Sequence, residues 1–463
     1  MSATTQERQT LVSGAGWLTV GTLAVGGLNY GYALILTHLL PTDKYAQFAA
    51  AQALLLTAGT IAAASIPWVL AQQLAKNPDP ATRAALTRMS LLGNGVQGLI
   101  AALVILAVAQ SFADPQTSFT LAVCVFLIFA SSTTAGWLQG RQRFGALAAV
   151  KVLEVVVKCI VGIGLVLATS TAAAALGAFG AGSAIVLLLG LYWLRAEILG
   201  PSTLALAKSL WRDALGVASV QGLVSALASL DVVLVAVLPL TSSAAASYQA
   251  SMIVARVPLF LGTAVAMVAL PLVAQAAADA AGRQFRDALR LYAIVAVPFA
   301  VMLATAPGAL AYLVFPGEFG EIKEVLAWTA ASGLMIGAVQ LVITFYQGRG
   351  EYRIALTCQL VSGLIAVAAI LTGFQLGGIV GLAIGAFVGT TFSVAVLMVC
   401  ATRLWPGSVR LSKSAVVAAA VLVVALGLAS QYPVVWIAAC LGTGTWSVGR
   451  ILALRASGEK EAE

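Results

Sequence analysis

The chain has 463 residues, of which 61% are apolar and only 9% charged, with a formal net charge of +8. Soluble domains carry roughly 25% charged residues, so a water-covered fold of this length would lack the charge to coat its surface. The same figures exclude a disordered or fibrous chain, and five Cys without a CxxC pair exclude a disulfide-stapled secreted domain. Lipid is the solvent that suits these residues. Cys124, Cys159, Cys358, Cys400 and Cys440 all fall in apolar runs and read as small buried hydrophobes. One His, His38, leaves no material for a His-based metal site or catalytic triad.

A helix needs about 20 apolar residues to cross a hydrocarbon core. In chain order, fourteen runs qualify: 12–39, 45–73, 89–111, 118–138, 144–168, 172–194, 213–238, 244–275, 290–314, 324–346, 352–373, 377–402, 414–430 and 433–454. The predicted fold is all-α and polytopic. Residues 1–200 form an N-lobe of helices 1–6, residues 201–405 a C-lobe of helices 7–12, and residues 406–463 a helix pair with a tail. The first run is too long for a signal-peptide core, and no cleavage site follows it.

Charge placement supports an even number of spans. Twenty of the 25 Lys and Arg residues fall on the side shared by the two termini, among them Arg83, Arg88, Arg141, Arg143, Arg195, Arg349 and Arg353. Only Lys44 and Lys323 fall on the other side, and Lys151, Lys158 and Arg256 lie within spans. This asymmetry follows the positive-inside rule and predicts cytoplasmic termini. The basic residues are dealt out two or three per loop, unlike the clustered patches that bind nucleic acid. Trp137, Trp193, Trp211 and Trp405 sit near predicted cytoplasmic ends, as interface anchors do.

The two halves echo each other. Gln139-Gly140-Arg141 follows the fourth span, and Gln347-Gly348-Arg349 follows the tenth, 208 residues later. Pro67 through Gln72 resembles Pro271 through Gln275, and Tyr45 pairs with Tyr248. A unit of six spans gives both halves the same orientation, as in transporters built from parallel repeats.

Ionisable groups within spans are costly, roughly 2.5–3.5 kcal/mol each at a helix centre. Lys151, Glu154 and Lys158 share one face of span 5. Counted from Phe144, Lys158 lies ~21 Å along the helix, too deep to reach the surface easily. Glu154 can neutralise Lys158 at i,i+4, which still leaves a Lys over. Arg256 lies in span 8, two residues before a helix-disrupting Pro258, and Asp231 in span 7 is its candidate partner. Three positive and two negative charges leave a net positive interior, suited to an anionic phosphate or pyrophosphate ligand. Polar neutral groups recur at Asn29, Tyr30, Gln52, Asn94, Gln97, Gln221, Gln340 and Gln359. Most read as interhelical hydrogen bonds. Gly377, Gly381, Gly385 and Gly389 form a smooth helix-packing face.

The segment Leu40-Pro41-Thr42-Asp43-Lys44-Tyr45-Ala46-Gln47-Phe48, the Gln139–Phe144 loop and the order Asp231, Tyr248, Arg256, Pro271 resemble the oligosaccharide-lipid flippases of the polysaccharide biosynthesis family. That family lies within the multidrug/oligosaccharidyl-lipid/polysaccharide exporter superfamily. The first segment is similar to the family's L-P-x-x-x-Y/F-G turn, with Ala46 where many relatives have Gly. The resemblance implies two six-helix lobes around a central cavity that opens alternately to either side of a bacterial cytoplasmic membrane. Its implied cargo is a polyprenyl-(pyro)phosphate-linked oligosaccharide, with glycosyltransferases and a polymerase of the same pathway as partners. Lys151, Lys158 and Arg256 would bind the anion, and Glu154 and Asp231 would be charge or coupling partners. The lipid-II flippase branch is an alternative, because Arg256 would match its cavity arginine on helix 8.

A drug or cation antiporter of the same superfamily would instead favour acidic cavity groups. A membrane polymerase or ligase would carry a large external loop, whereas the longest here, 315–323, is short. No Gly-rich phosphate loop opens a soluble segment. A transporter without cofactor or metal, driven by an ion gradient, the membrane potential or substrate supply, is therefore expected rather than an enzyme.

Overall fold

The computed structural model describes residues 24–76, 79–199, 222–262, 265–266, 278–405 and 413–460. Arg8, Lys208, Trp211, Arg212, Gln221, Arg410 and the Pro271–Gln275 half of one repeat pair lie outside these residues. The described chain is helix joined by short turns, with no strand among the described residues. It divides into two compact units, Met1–Ser229 and Leu230–Glu463.

The first unit contains α1 (24–39), α2 (Thr42–Ala64), α3 (Ile66–Lys76), α4 (Pro80–Ala109), α5 (Pro115–Gly140), α6 (Phe144–Thr169), α7 (Ala172–Leu199) and α8 (222–227). The second contains α9 (Leu230–Val237), α10 (Ser242–Ala255), α11 (257–262), α12 (Ala278–Ala304), α13 (Gly308–Val314), α14 (Ile322–Gly348), α15 (Tyr352–Leu404), α16 (Lys413–Ala429) and α17 (Pro433–Lys460). Helix occurs in all fourteen predicted segments. Among the described residues, nine helical stretches are long and apolar enough to cross a membrane. This is a multi-pass, all-α membrane protein.

The breaks within predicted spans have local causes. Span 2 is split at Ser65, beside Pro67, whose ring excludes the carbonyl one turn earlier. The predicted start of span 9 at 290 is late, since α12 begins at Ala278. Its first turns alternate exposed Arg283, Asp287 and Arg290 with buried Phe285 and Ala288, so average hydropathy hides the helix. Spans 11 and 12 form one run, α15, broken at Gly377 (φ −149°, ψ 24°) and Gly378 (φ 56°, ψ −134°). Gly377 therefore belongs to the turn. Gly381, Gly385 and Gly389 do form a packing face: a Cβ on Gly381 would stand 2.0 Å from the Gly373 carbonyl, and one on Gly385 2.3 Å from that of Ala369.

Asp-Pro-x-Thr starts two helices in the same way. Asp79 accepts from the Thr82 amide and hydroxyl, and Asp114 from those of Thr117, with Pro in the first turn both times. These bonds, the Thr82 hydroxyl first, hold the Asp79 carboxyl below its ordinary pKa. At Asp114, burial works in the other direction, but the amide and hydroxyl of Thr117 still bring the carboxyl below the ordinary value.

Each unit is organised around one buried helix. In the first, α5 packs against α2, α3, α4 and α7, and α6 packs on α7. Ile66, Leu70, Trp137, Leu138 and Leu194 make the core where these helices converge. In the second, α14 packs against α10, α12 and α15. The α16–α17 pair lies against α12, with Trp436 Nε1 donating to Thr305 Oγ1 (3.2 Å) and Ser447 Oγ to the Ile294 carbonyl (3.0 Å).

Helices α5 and α14 end in the two Gln-Gly-Arg segments, and the turns that follow match bond for bond. The Arg141 amide donates to the Trp137 carbonyl, Gln142 to Gln139, and Arg143 to Leu138. At the same offset, Arg349 donates to Phe345, Gly350 to Gln347, and Glu351 to Tyr346. The left-handed position is Gln142 (φ 55°) in the first turn and Gly350 (φ 76°) in the second. The sequence echo is thus a repeated backbone motif. Two of the expected interface Trp residues, Trp137 and Trp405, are buried here and pack inside their units, whereas Trp193 is exposed. Their indole surface is used against neighbouring helices.

Candidate functional site

The first unit holds a cavity of about 590 Å³, within the range of small-ligand sites. Lys151, Glu154 and Lys158 line it from α6, Asn29 from α1 and Ser183 from α7. Leu55, Ile128 and Phe179 give it an apolar wall. The helical spacing read from the sequence therefore does bring the three charged groups of span 5 into one space.

Their pairing differs from the i,i+4 expectation. Glu154 Oε2 accepts from Lys151 Nζ at 2.9 Å, the i,i+3 partner, and its Oε1 accepts from Ser183 Oγ at 3.3 Å. Lys158 is held elsewhere. Its ammonium donates to Asn29 Oδ1 and stands over the rings of Tyr32 and Phe179, 4.8 and 4.4 Å from their centroids. Tyr32 is pinned in turn by a 2.9 Å bond to the Ala175 carbonyl and an edge contact with Phe179. A desolvated cation–π contact contributes about 2 kcal/mol, and a hydrogen bond to a charged group about 1.5–3 kcal/mol. Two faces and one amide therefore offset the roughly 2.5–3.5 kcal/mol cost of inserting a Lys. Lys158, 3% exposed, is fixed in place, whereas the Lys151 side chain is half-exposed.

Close helix approach sets this geometry. A Cβ on Gly182 would lie 2.6 Å from the Glu154 carbonyl, so only glycine lets α7 bring Ser183 up to that carboxylate.

Asp231 and Arg256 lie in the second unit. Asp231, 3% exposed, accepts from Tyr248 Oη at 2.7 Å and from the Val232 amide at 2.8 Å. Arg256 caps the C-terminus of α10 and is near enough for its charge to act on that carboxylate. Gln249 Nε2 reaches the Val232 carbonyl at 3.3 Å, tying α10 to α9 a second time.

Sequence reasoning missed a further carboxylate. Glu197, near the end of α7, accepts from Thr87 Oγ1 (2.6 Å), Trp137 Nε1 (3.0 Å) and the Arg141 guanidinium (2.5 Å). Arg141 and Arg143 also stack on Trp137 at 5.4 and 5.6 Å. The signal available was Arg141 in the first Gln-Gly-Arg motif, a cation at a helix end that a carboxylate can pair with. Ser183 and Asn29 carried weaker signals, as isolated polar residues in apolar helices. Asn94, another, donates to Thr133 Oγ1 at 2.7 Å, and Gln97 accepts from Ser65 at 3.2 Å, both interhelical bonds.

Comparison with known proteins gives three results. The family model described as "polysaccharide biosynthesis protein" matches residues 11–277. No curated protein matches the sequence. Among solved structures, the lipid II flippase MurJ in an inward closed conformation superposes with a TM-score of 0.74 at 10% identity, covering 94% of this chain and 98% of MurJ. The eukaryotic MATE transporter AtDTX14 gives 0.60 at 15% identity over 89% and 99% of the two chains. An inward-facing multidrug resistance MATE transporter of the MOP superfamily gives 0.59 at 16% identity over 81% and 94%. At these identities the likeness is one of fold.

Proposed function

The chain belongs to the polysaccharide biosynthesis protein family, and from that premise we propose that it is an alternating-access flippase for a polyprenyl-(pyro)phosphate-linked oligosaccharide. Transport would run across the bacterial cytoplasmic membrane, with both termini cytoplasmic, a placement that the charge asymmetry of the loops supports. The observation that carries this reading is the caged Lys158 in a cavity shared with Lys151 and Glu154. Held by an amide oxygen and two ring faces rather than by a carboxylate, the Lys158 side chain suits a phosphate head group. Arg256, with Asp231 as its charge partner, is the candidate anion-binding residue within the second unit. No covalent step is required, so the protein would act as a transporter and not an enzyme.

The MurJ-like fold brings a second reading, movement of a lipid-II-type peptidoglycan precursor. Both cargoes present a prenyl pyrophosphate, so the cavity chemistry suits either. A drug or cation antiporter fits less well, because a fixed Lys158 repels cationic ligands. Deleting the gene and extracting lipids separates these readings. Lipid-linked oligosaccharide should accumulate on the cytoplasmic side while peptidoglycan synthesis continues. Accumulated peptidoglycan precursor would select the second reading, and unchanged lipid pools with altered drug tolerance the third.

A further inference from the structure

The two lysines of the cavity are held in different ways, and Glu154 is the reason. Lys158 is enclosed by Asn29, Tyr32 and Phe179. Lys151 is bound by Glu154 Oε2 at 2.9 Å, with both side chains partly open. The other oxygen of Glu154 is held by Ser183 at 3.3 Å, and Gly182 keeps the backbones of α6 and α7 in contact there.

We propose that Glu154 is the cavity's own counter-anion: an incoming phosphate group takes its place on Lys151, and the displaced carboxylate stays on Ser183. This rests on reading the cargo as a lipid-linked phosphate. Partly exposed ion pairs are weakly held, so the exchange is easy. A phosphate group carries more charge and more acceptor oxygens than a carboxylate, so it competes effectively for the ammonium. The separate anchoring of the two Glu154 oxygens lets one bond open while the other persists. A neutral or cationic molecule has nothing to offer Lys151 and leaves the pair closed. Glu154 is therefore a specificity-determining residue that rejects cargo without an anionic head.

The test measures binding of geranyl pyrophosphate to the full-length protein in discs of neutral lipid, with geraniol as the uncharged control. Glu154→Gln should bind the pyrophosphate about tenfold more tightly than wild type, and Lys151→Gln about tenfold more weakly, with geraniol unaffected. In the Lys151→Gln background, adding Glu154→Gln should change affinity by less than about twofold, because the carboxylate acts through Lys151. Glu154→Asp should stay near wild type. Glu154→Asn carries the same expectation if Glu154→Gln is not recovered folded. An equal gain in both backgrounds would overturn the proposal, since it would mean a general field effect and no exchange. Binding by wild type with no gain in Glu154→Gln would overturn the exchange alone. Failure of wild type and every variant to bind would overturn the exchange together with the anionic-cargo reading.

Discussion

The two units use the same turn to finish their central helices, yet brace it with opposite chemistry. In the first unit, Glu197 collects Thr87, Trp137 and Arg141, an electrostatic node. At the same 208-residue offset the second unit has Trp405, buried against Tyr346 and Phe285 with ring centroids 5.2 and 5.7 Å apart. Their buried charges differ similarly. The first unit encloses a basic group, Lys158, whereas the second buries an acidic one, Asp231, under a tyrosine hydroxyl. A repeated backbone therefore fixes where a brace must go but not what it is made of. The side chains are free to give one unit the positive cavity.

Four variants would break or sharpen this comparison. Trp405→Ala should cost about 3–5 kcal/mol, the range for deleting a buried aromatic. Glu197→Gln should cost less, about 1.5–3 kcal/mol, because it weakens hydrogen bonds to a charged group without leaving a void. Thermal unfolding in lipid discs reads both, and a larger loss at Glu197 would reverse the assignment of braces. Smaller again is the coupling of Asp231 and Arg256. The double variant Asp231→Asn/Arg256→Gln should be less impaired in export than either single, by about 0.5–3 kcal/mol of coupling. Additive losses would show that the two charges act independently. The smallest effect is a gain: Gln142→Gly should stabilise by up to about 1 kcal/mol, since Gly removes the left-handed strain that Gly350 already avoids. No change would mean that the two turns are equally relaxed.

Much of this was legible in the sequence, for reasons particular residues make plain. The spans could be read because lipid demands long apolar runs, and the loop arginines pointed to an even number of them. The break between spans 11 and 12 was read and falls at Gly377–Gly378, whereas the break of span 2 beside Pro67 was not. The amphipathic start of α12 was hidden, because Arg283, Asp287 and Arg290 on its exposed side lower the average hydropathy. The shared face of Lys151, Glu154 and Lys158 followed from helical geometry. The choice of partner did not, since i,i+3 and i,i+4 are both within reach. It was decided by Asn29, Tyr32 and Phe179, which approach Lys158 from α1 and α7. Contacts between helices far apart in sequence leave no periodic trace, and Glu197 escaped notice for the same cause.

The central claim is that the caged charge of Lys158 recognises an anionic, lipid-linked cargo. Its most direct test is the surface glycan and the cytoplasmic pool of lipid-linked oligosaccharide in a Lys158→Ala strain, with membrane protein level measured alongside. The account predicts wild-type protein in the membrane, accumulated precursor, and surface glycan reduced by more than about tenfold, as expected when a desolvated charge contact is removed. Wild-type surface glycan in that strain would contradict it.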